Sequence, residues 1–264
     1  MSVYEKMTAI ADNIREKTGG TEALSLDDMA SGVNDVYEAG KQAEYDAFWD
    51  VYQERGARGN YKFAFGGHGW TSNTFRPKYS MRPTNAQSMF QETVNNYIEW
   101  DLVAILEECG VSIDFSKVTS SNFNNTFFST YSTTVPLVDT TSANSSSISN
   151  TFNSAHIKKI YGLRLKDNGS QTFTSAFTDC SKLEEITITG GVIGQNISFA
   201  KSPLTVESMK SVITHLKNYA GTDKEFTYKV TFSSACLTAL EAEGATSPNG
   251  NNWLDYMTDL GWNH

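Results

Sequence analysis

The sequence predicts an α+β protein: an N-terminal helical segment, then an irregular β-solenoid, then a C-terminal αβ cap. Three observations lead there. Asn125-Thr126-Phe127 returns as Asn150-Thr151-Phe152, and Ser175-Ala176-Phe177 stands at the next step, so the three phenylalanines are spaced by 25 residues. Each phenylalanine is followed by a polar turn and an aliphatic cluster: Val135 and Leu137, then Ile157, Ile160, Leu163 and Leu165, then Leu183, Ile186 and Ile188. The last two clusters alternate apolar with polar, the pattern of a half-buried strand. Before the repeats, apolar residues step by four and three along two stretches, the pattern of a helical stripe. A 25-residue unit with one strand and one buried ring cannot cover its own apolar face, so it is expected to stack on its neighbours.

In chain order, Ser2 and Glu5 have the spacing of a capping box. Val3, Met7, Ile10 and Ile14 form the first stripe, and Thr18-Gly19-Gly20 stops it. Ser25 and Asp28 restart a helix expected to run to about Arg55. Its stripe of Met29, Val33, Val36, Gly40, Ala43 and Ala47 consists mostly of small residues, and it fits either a helical hairpin or a coiled coil between copies. Arg55 to Asn60 reads as a linker. The expected organisation is therefore a helical attachment or oligomerisation segment over 1–59, a hairpin and repeats over 60–200, and a capping unit over 201–264.

Tyr61, Phe63 and Phe65 alternate with Lys62 and Ala64, Gly66-Gly67-His68-Gly69 is a turn, and Trp70 to Tyr79 is the expected return strand. Ser88-Met89-Phe90 reads as a divergent first repeat, and a helix near Asp101–Cys109 separates it from the next. The stretch Thr119–Asn153 is dense in Ser, Thr and Asn, residues suited to tight turns. Ser202-Pro203 begins a helix carrying Leu204, Met209, Val212, Ile213, Leu216 and Tyr219 as far as Ala220-Gly221. Phe226–Phe232 reads as a strand, and short helices follow at Ser234–Glu243 and Trp253–Leu260 before Gly261-Trp262.

The net charge of −9, of which residues 1–59 carry −6, argues against nucleic acid or an anionic membrane as partner. Cys109, Cys180 and Cys236 have no C-x-x-C spacing and read as small buried hydrophobes of a protein made in a reducing cytoplasm. No apolar h-region follows Met1 and no run of 18 apolar residues occurs, so neither a signal peptide nor membrane insertion is expected.

Met7-Thr8-Ala9-Ile10-Ala11-Asp12-Asn13-Ile14-Arg15-Glu16-Lys17-Thr18-Gly19 resembles the N-terminal helix of tail-associated proteins from phages and prophages of gut Firmicutes. Glu44-Tyr45-Asp46-Ala47-Phe48-Trp49-Asp50 with Tyr52-Gln53, Pro77-Lys78-Tyr79 and Ser88-Met89-Phe90 resemble the same proteins, as do the helix from Ser202-Pro203-Leu204-Thr205 and the terminal Gly261-Trp262. There these motifs accompany leucine-rich repeats of the BspA-like kind, which makes the expected solenoid leucine-rich-repeat-like. In this chain leucines are few, and Phe90 to Phe127 spans 37 residues. The resemblance implies a virion protein of the tail or baseplate, assembled in the host cytoplasm, with a receptor-binding role at the host surface. Its implied partners are other tail or baseplate proteins through residues 1–59 and a host-surface glycan or protein, with a homo-oligomer as one assembly.

An enzyme would need chemistry at recognisable spacing. His68 in its glycine-rich turn has no paired histidine or cysteine, and His156 and His215 read as surface or packing residues. Glu184-Glu185 and Asp27-Asp28 are neighbours whose side chains point apart on a strand or helix. No catalytic, metal or cofactor residue is therefore expected, and the sequence does not single out the binding residues. A glycan depolymerase with carboxylates about 5 to 9.5 Å apart on distant coils is the first alternative. A bacterial cell-surface adhesin is the second.

Overall fold

The computed structural model describes residues 60–62, 64–67, 74–93, 98–119, 123–143 and 148–264, with Thr8, Ala11, Asp12, Asn13, Glu16 and Ala43. The chain divides into two compact units, Met1–Gln53 and Glu54–His264. The six described residues of the first unit define no continuous element. The expected capping box, the first stripe, all of the second stripe but Ala43 and nearly all of the linker lie outside the described residues, so the described residues show no N-terminal helical segment.

The second unit is organised by repeated turns. In each, the first and fifth residues adopt a left-handed backbone: Ser88 and Glu92, Asn125 and Ser129, Asn150 and Ser154, Ser175 and Asp179, all with φ between 50° and 57°. Asn, Ser and Asp tolerate this conformation because their short polar side chains bond locally. The turns then pair with one another through the backbone. The N–H of Phe90 donates to Thr126 O at 2.7 Å, that of Phe127 to Thr151 O at 2.8 Å, and that of Phe152 to Ala176 O at 3.0 Å.

This in-register stacking places the third residue of every turn, a phenylalanine, above the next. Phe65, Phe90, Phe127, Phe152, Phe177, Phe199 and Phe232 form one column with successive ring centroids 4.6 to 6.0 Å apart. Phe75, Trp100 and Phe115 pack against its sides. Ring pairs of this kind contribute about 0.5–1.5 kcal/mol each beyond the area they bury.

Beside the column, β1 (Thr134–Asp139), β2 (Lys159–Arg164) and β3 (Glu185–Gly190) form a parallel sheet in sequence order, with Val135 opposite Ile160 and Ile160 opposite Ile186. Helix α1 (Leu102–Glu108), capped by Asp101, meets β1: the N–H groups of Leu102 and Val103 donate to Ser132 Oγ and Thr134 Oγ1. At the opposite edge α2 (Val206–Thr214) presents two hydroxyls. Ser208 Oγ accepts from Ile186 N–H at 3.0 Å and Ser211 Oγ from Ile188 N–H at 2.9 Å. A separate two-stranded parallel sheet follows, of β4 (Ile197–Phe199) and β5 (Val230–Phe232), and then α3 (Ser234–Glu241) and α4 (Trp253–Asp259).

These elements correct the expected fold class. The described residues form a mixed α/β unit with few helices and two small parallel sheets, neither of which closes, and there is no leucine-rich-repeat-like β-solenoid. Repetition is confined to the turns. Strand pairing does not propagate, because α1 interrupts the series between Phe90 and Phe127 and the α2 hydroxyls satisfy the β3 edge in place of another strand.

Three local expectations also change. Of the hairpin expected after Asn60, Phe63 and residues 68–73 lie outside the described residues; the described ones show a turn closed by the Ala64 N–H on Tyr61 O, and no named strand occurs before β1 among them. Helix α2 starts after Thr205, beyond Pro203, and stops at Thr214. Leu216 leaves it because Ile193 pairs there, donating to His215 O at 2.7 Å and accepting from Lys217 N–H at 2.8 Å. The strand expected from Phe226 shrinks to β5. Phe226 itself is in a left-handed turn and exposed, its N–H taken by Gly261 O.

Candidate functional site

The inner face of the three-stranded sheet buries Val135, Val138, Ile160, Leu163, Ile186 and Ile188. In β1 and β2 two residues, not one, separate successive inward positions: Pro136-Leu137 stand opposite Tyr161-Gly162, and these stand opposite the single Thr187 of β3. Such a bulge re-aims side chains. Here it turns Tyr161 and Leu137 outward, leaving them 49% and 44% exposed. Leu137 lies across Gly162, where an added Cβ would sit 2.7 Å from its Cδ1.

The outer face around Tyr161 is a platform bounded by charge. Lys159 Nζ bonds Glu185 Oε2 at 2.6 Å, and Arg164 Nη1 lies 4.0 Å from Asp139 Oδ2. Lys159 Nζ also stands 4.9 Å from the Tyr161 ring centroid, and its pKa is raised by the hydrogen bond to Glu185. Thr187 and Thr189 complete the face with exposed hydroxyls. An exposed ring beside hydroxyls, a guanidinium and carboxylates can stack on a ligand's apolar face and hydrogen-bond its edge. Nothing on this face is activated as a nucleophile.

The histidines fall elsewhere. His68, Asp27 and Asp28 lie outside the described residues. His156 stacks on Tyr131 with centroids 3.9 Å apart, and its Nδ1 lies 3.6 Å from Glu99 Oε1, too long for a hydrogen bond. Burial, and then the nearby Lys182, hold its pKa below the ordinary value. Glu99 bonds both Lys182 and Lys158, the latter at 2.9 Å, and these two hydrogen bonds lower its carboxyl to about 2. A carboxylate fixed in that state is a poor proton donor near neutral pH, so the trio is a structural clamp rather than an acid–base pair. His215 Nδ1 contacts Ser211 O at 2.8 Å at the end of α2.

Glu184 and Glu185 are both exposed, and Glu185 is committed to Lys159. Cys180 and Cys236 are buried as expected, whereas Cys109 is half-buried. Among the described residues no group of three His, Cys, Asp or Glu side chains is placed to hold a metal ion, and no helix is long and apolar enough to cross a membrane.

Neither Tyr161 nor Glu99 was among the residues expected to matter. A signal for Tyr161 existed: the three-residue steps from Val135 to Val138 and from Ile160 to Leu163 break the period of two that an unbulged strand requires. Glu99 carried none, since its lysines are 59 and 83 residues away in sequence. No protein-family model, curated protein or solved structure matches the chain.

Proposed function

We propose that this chain is a non-catalytic virion component of a phage tail or baseplate that recognises a glycan or protein on the host surface, through the outer face of β1–β3. The observation that carries the binding role is the outward Tyr161 ring set between the Lys159–Glu185 and Arg164–Asp139 pairs. The tail assignment draws on the resemblance of Met7–Gly19 and Glu44–Gln53 to tail-associated proteins, with residues 1–59 as the attachment to neighbouring tail proteins. A weak single site suffices for this role, because many copies on one virion multiply its effect.

The test is retention of the full-length protein on host and related non-host cells, with Tyr161→Ala as the variant and phage adsorption in excess protein as the second readout. Host-selective retention that falls about tenfold in Tyr161→Ala is expected, for loss of roughly 1–3 kcal/mol of aromatic contact. Equal retention on both cell types with no effect on adsorption would leave no receptor role, and release of soluble sugar would replace binding by cleavage. Finding the chain in purified virions by mass spectrometry tests the tail assignment separately.

A further inference from the structure

The backbone pairing between successive turns has a break, and an open groove of about 460 Å³ lies there, between the turn Thr172–Ser175 and the strand β4. In the preceding turn Ile148 and Asn150 donate their N–H groups onward to Thr172 O and Thr174 O, at 3.2 and 3.1 Å. Their counterparts one turn on are Phe173 and Ser175. Among the described residues no backbone acceptor takes the N–H of either. Both residues line the groove, and the direction of the stack aims these N–H groups at β4.

β4 does not answer them. Ile197 and Phe199 spend their backbone groups on β5, and alternation along a strand turns those of Ser198 the other way, towards the turn. The column of rings nevertheless continues past the gap, with Phe177 and Phe199 centroids 4.6 Å apart. The two walls therefore touch at the column and part towards solvent, and the wedge between them keeps backbone donors that no backbone acceptor among the described residues takes.

The groove's polar side chains stand beside two apolar ones, Phe173 and Ile197. Thr174, Ser175, Gln195, Asn196, Ser198 and Lys229 offer hydroxyls, amides and one ammonium, and no carboxylate lines the groove. Asn196 Oδ1 already accepts the Lys229 N–H at 2.7 Å, which leaves its amide N–H groups as what it can offer. Among the described residues the Lys229 ammonium has no carboxylate within ion-pair distance. The donor-only groups, the Lys229 ammonium and the N–H groups of Phe173 and Ser175, thus meet no carboxylate in a site whose volume falls within the range of about 300–1,000 Å³ usual for small-molecule sites.

We propose that this groove is a binding site for an anionic saccharide, a polyol bearing a carboxylate or a phosphate. The anion sits at Lys229 and the unpaired N–H groups, and the hydroxyls bond Thr174, Ser175 and Ser198. The site shares no residue with the Tyr161 face and stands without it.

The experiment is ligand-observed NMR on the full-length protein with D-glucuronate, D-glucose 6-phosphate, D-glucose and inorganic phosphate, in low and high salt. At least one charged sugar should bind about tenfold more tightly than glucose, from one charge-assisted contact, and should weaken in salt. Which of the two does so assigns the carboxylate or the phosphate. Lys229→Gln should remove the advantage, Ser198→Trp should block binding by filling the groove, and Tyr161→Ala should leave it unchanged. Unchanged thermal melting of the exposed Lys229→Gln variant shows that the fold is intact. Several results overturn the groove: no binding, glucose equal to both charged sugars, inorganic phosphate equal to glucose 6-phosphate, indifference to Lys229→Gln, or dependence on Tyr161. None of these touches the cell-retention test of the sheet face.

Discussion

The rings of Phe127 and Phe152 lie 5.8 Å apart and within 7° of parallel, and Phe177 continues the column 5.2 Å beyond at 15°. Phe152 therefore has a buried ring on both sides. Truncation leaves a cavity bounded by two stiff rings that cannot collapse into it. Phe152→Ala is expected to cost about 3–5 kcal/mol, against about 0.5 kcal/mol or less for a substitution at exposed Thr141. Thermal melting followed by circular dichroism measures both, and wild-type stability in Phe152→Ala would show that the column does not hold the fold.

Gly191 lies where the chain leaves β3, with φ 78°, and a Cβ added there would stand 2.1 Å from Leu165 O. That neighbour is backbone, itself accepting no relief from rotation. Gly191→Ala combines a left-handed conformation with a direct clash, so a loss of at least about 2 kcal/mol is expected. Gly221→Ala is the control, since it has the same sign of φ and open space around its Cβ. Equal melting temperatures for the two variants would refute the role of the close approach.

Burial separates the three thiols. Cys180 is buried, its Sγ donates to Phe152 O, and desolvation pushes its pKa up to about 12. Thiolate is the reactive species, so Cys180 should be inert to a disulfide reagent at neutral pH. Cys236 should be shielded by burial, with its Sγ against Ser202 O and Leu204 O, and half-buried Cys109 should react first. Labelling followed by peptide mass spectrometry should find about one modified thiol in the native protein and all three in denaturant. Rapid native labelling of Cys180 would contradict the packing around Phe152.

The column was legible in the sequence where turn chemistry and spacing coincide. Asn125, Asn150 and Ser175 are residues that accept the left-handed backbone, and each stands two before its phenylalanine. The step from that pattern to a solenoid failed for a physical reason. Turns can stack through their own N–H groups, as Phe127 does on Thr151 O, without continuous strands beside them. What ends the sheet is the pair Ser208 and Ser211, and a serine that caps a strand edge looks in sequence like any serine on a helix surface. Phe65 stands one 25-residue step before Phe90, whereas Phe199 and Phe232 join the column from segments without that spacing, because the column follows the packing of rings and not the count of residues between them. At the outer face of the sheet the alternation rule concealed Tyr161, whose outward aim depends on a bulge that both β1 and β2 must share.

Acid should weaken the fold through one cluster, in two steps with the same sign. Glu99 has an ordinary pKa of 4.5 in the unfolded chain and about 2 when bonded to Lys182 and Lys158. A carboxyl lowered on folding contributes its stability above the unfolded value and loses it as pH falls towards the folded one, here from about 4.5 to about 2. His156 is also lowered on folding, by burial and by Lys182, so protonation favours the unfolded chain as pH drops below the ordinary 6.5. Stability should then begin to fall just below neutrality and fall further under pH 4.5. The exposure of both lysines keeps the Glu99 contribution to about 1 kcal/mol. Denaturant melts across pH should show Glu99→Gln less stable than wild type at pH 7, with the gap closing towards pH 2. Histidine NMR should place the His156 midpoint below that of a free imidazole. A gap that stays constant with pH would mean that Glu99 does not hold its charge against the two lysines, and a His156 midpoint above 6.5 would mean that the Glu99 carboxylate outweighs burial and Lys182.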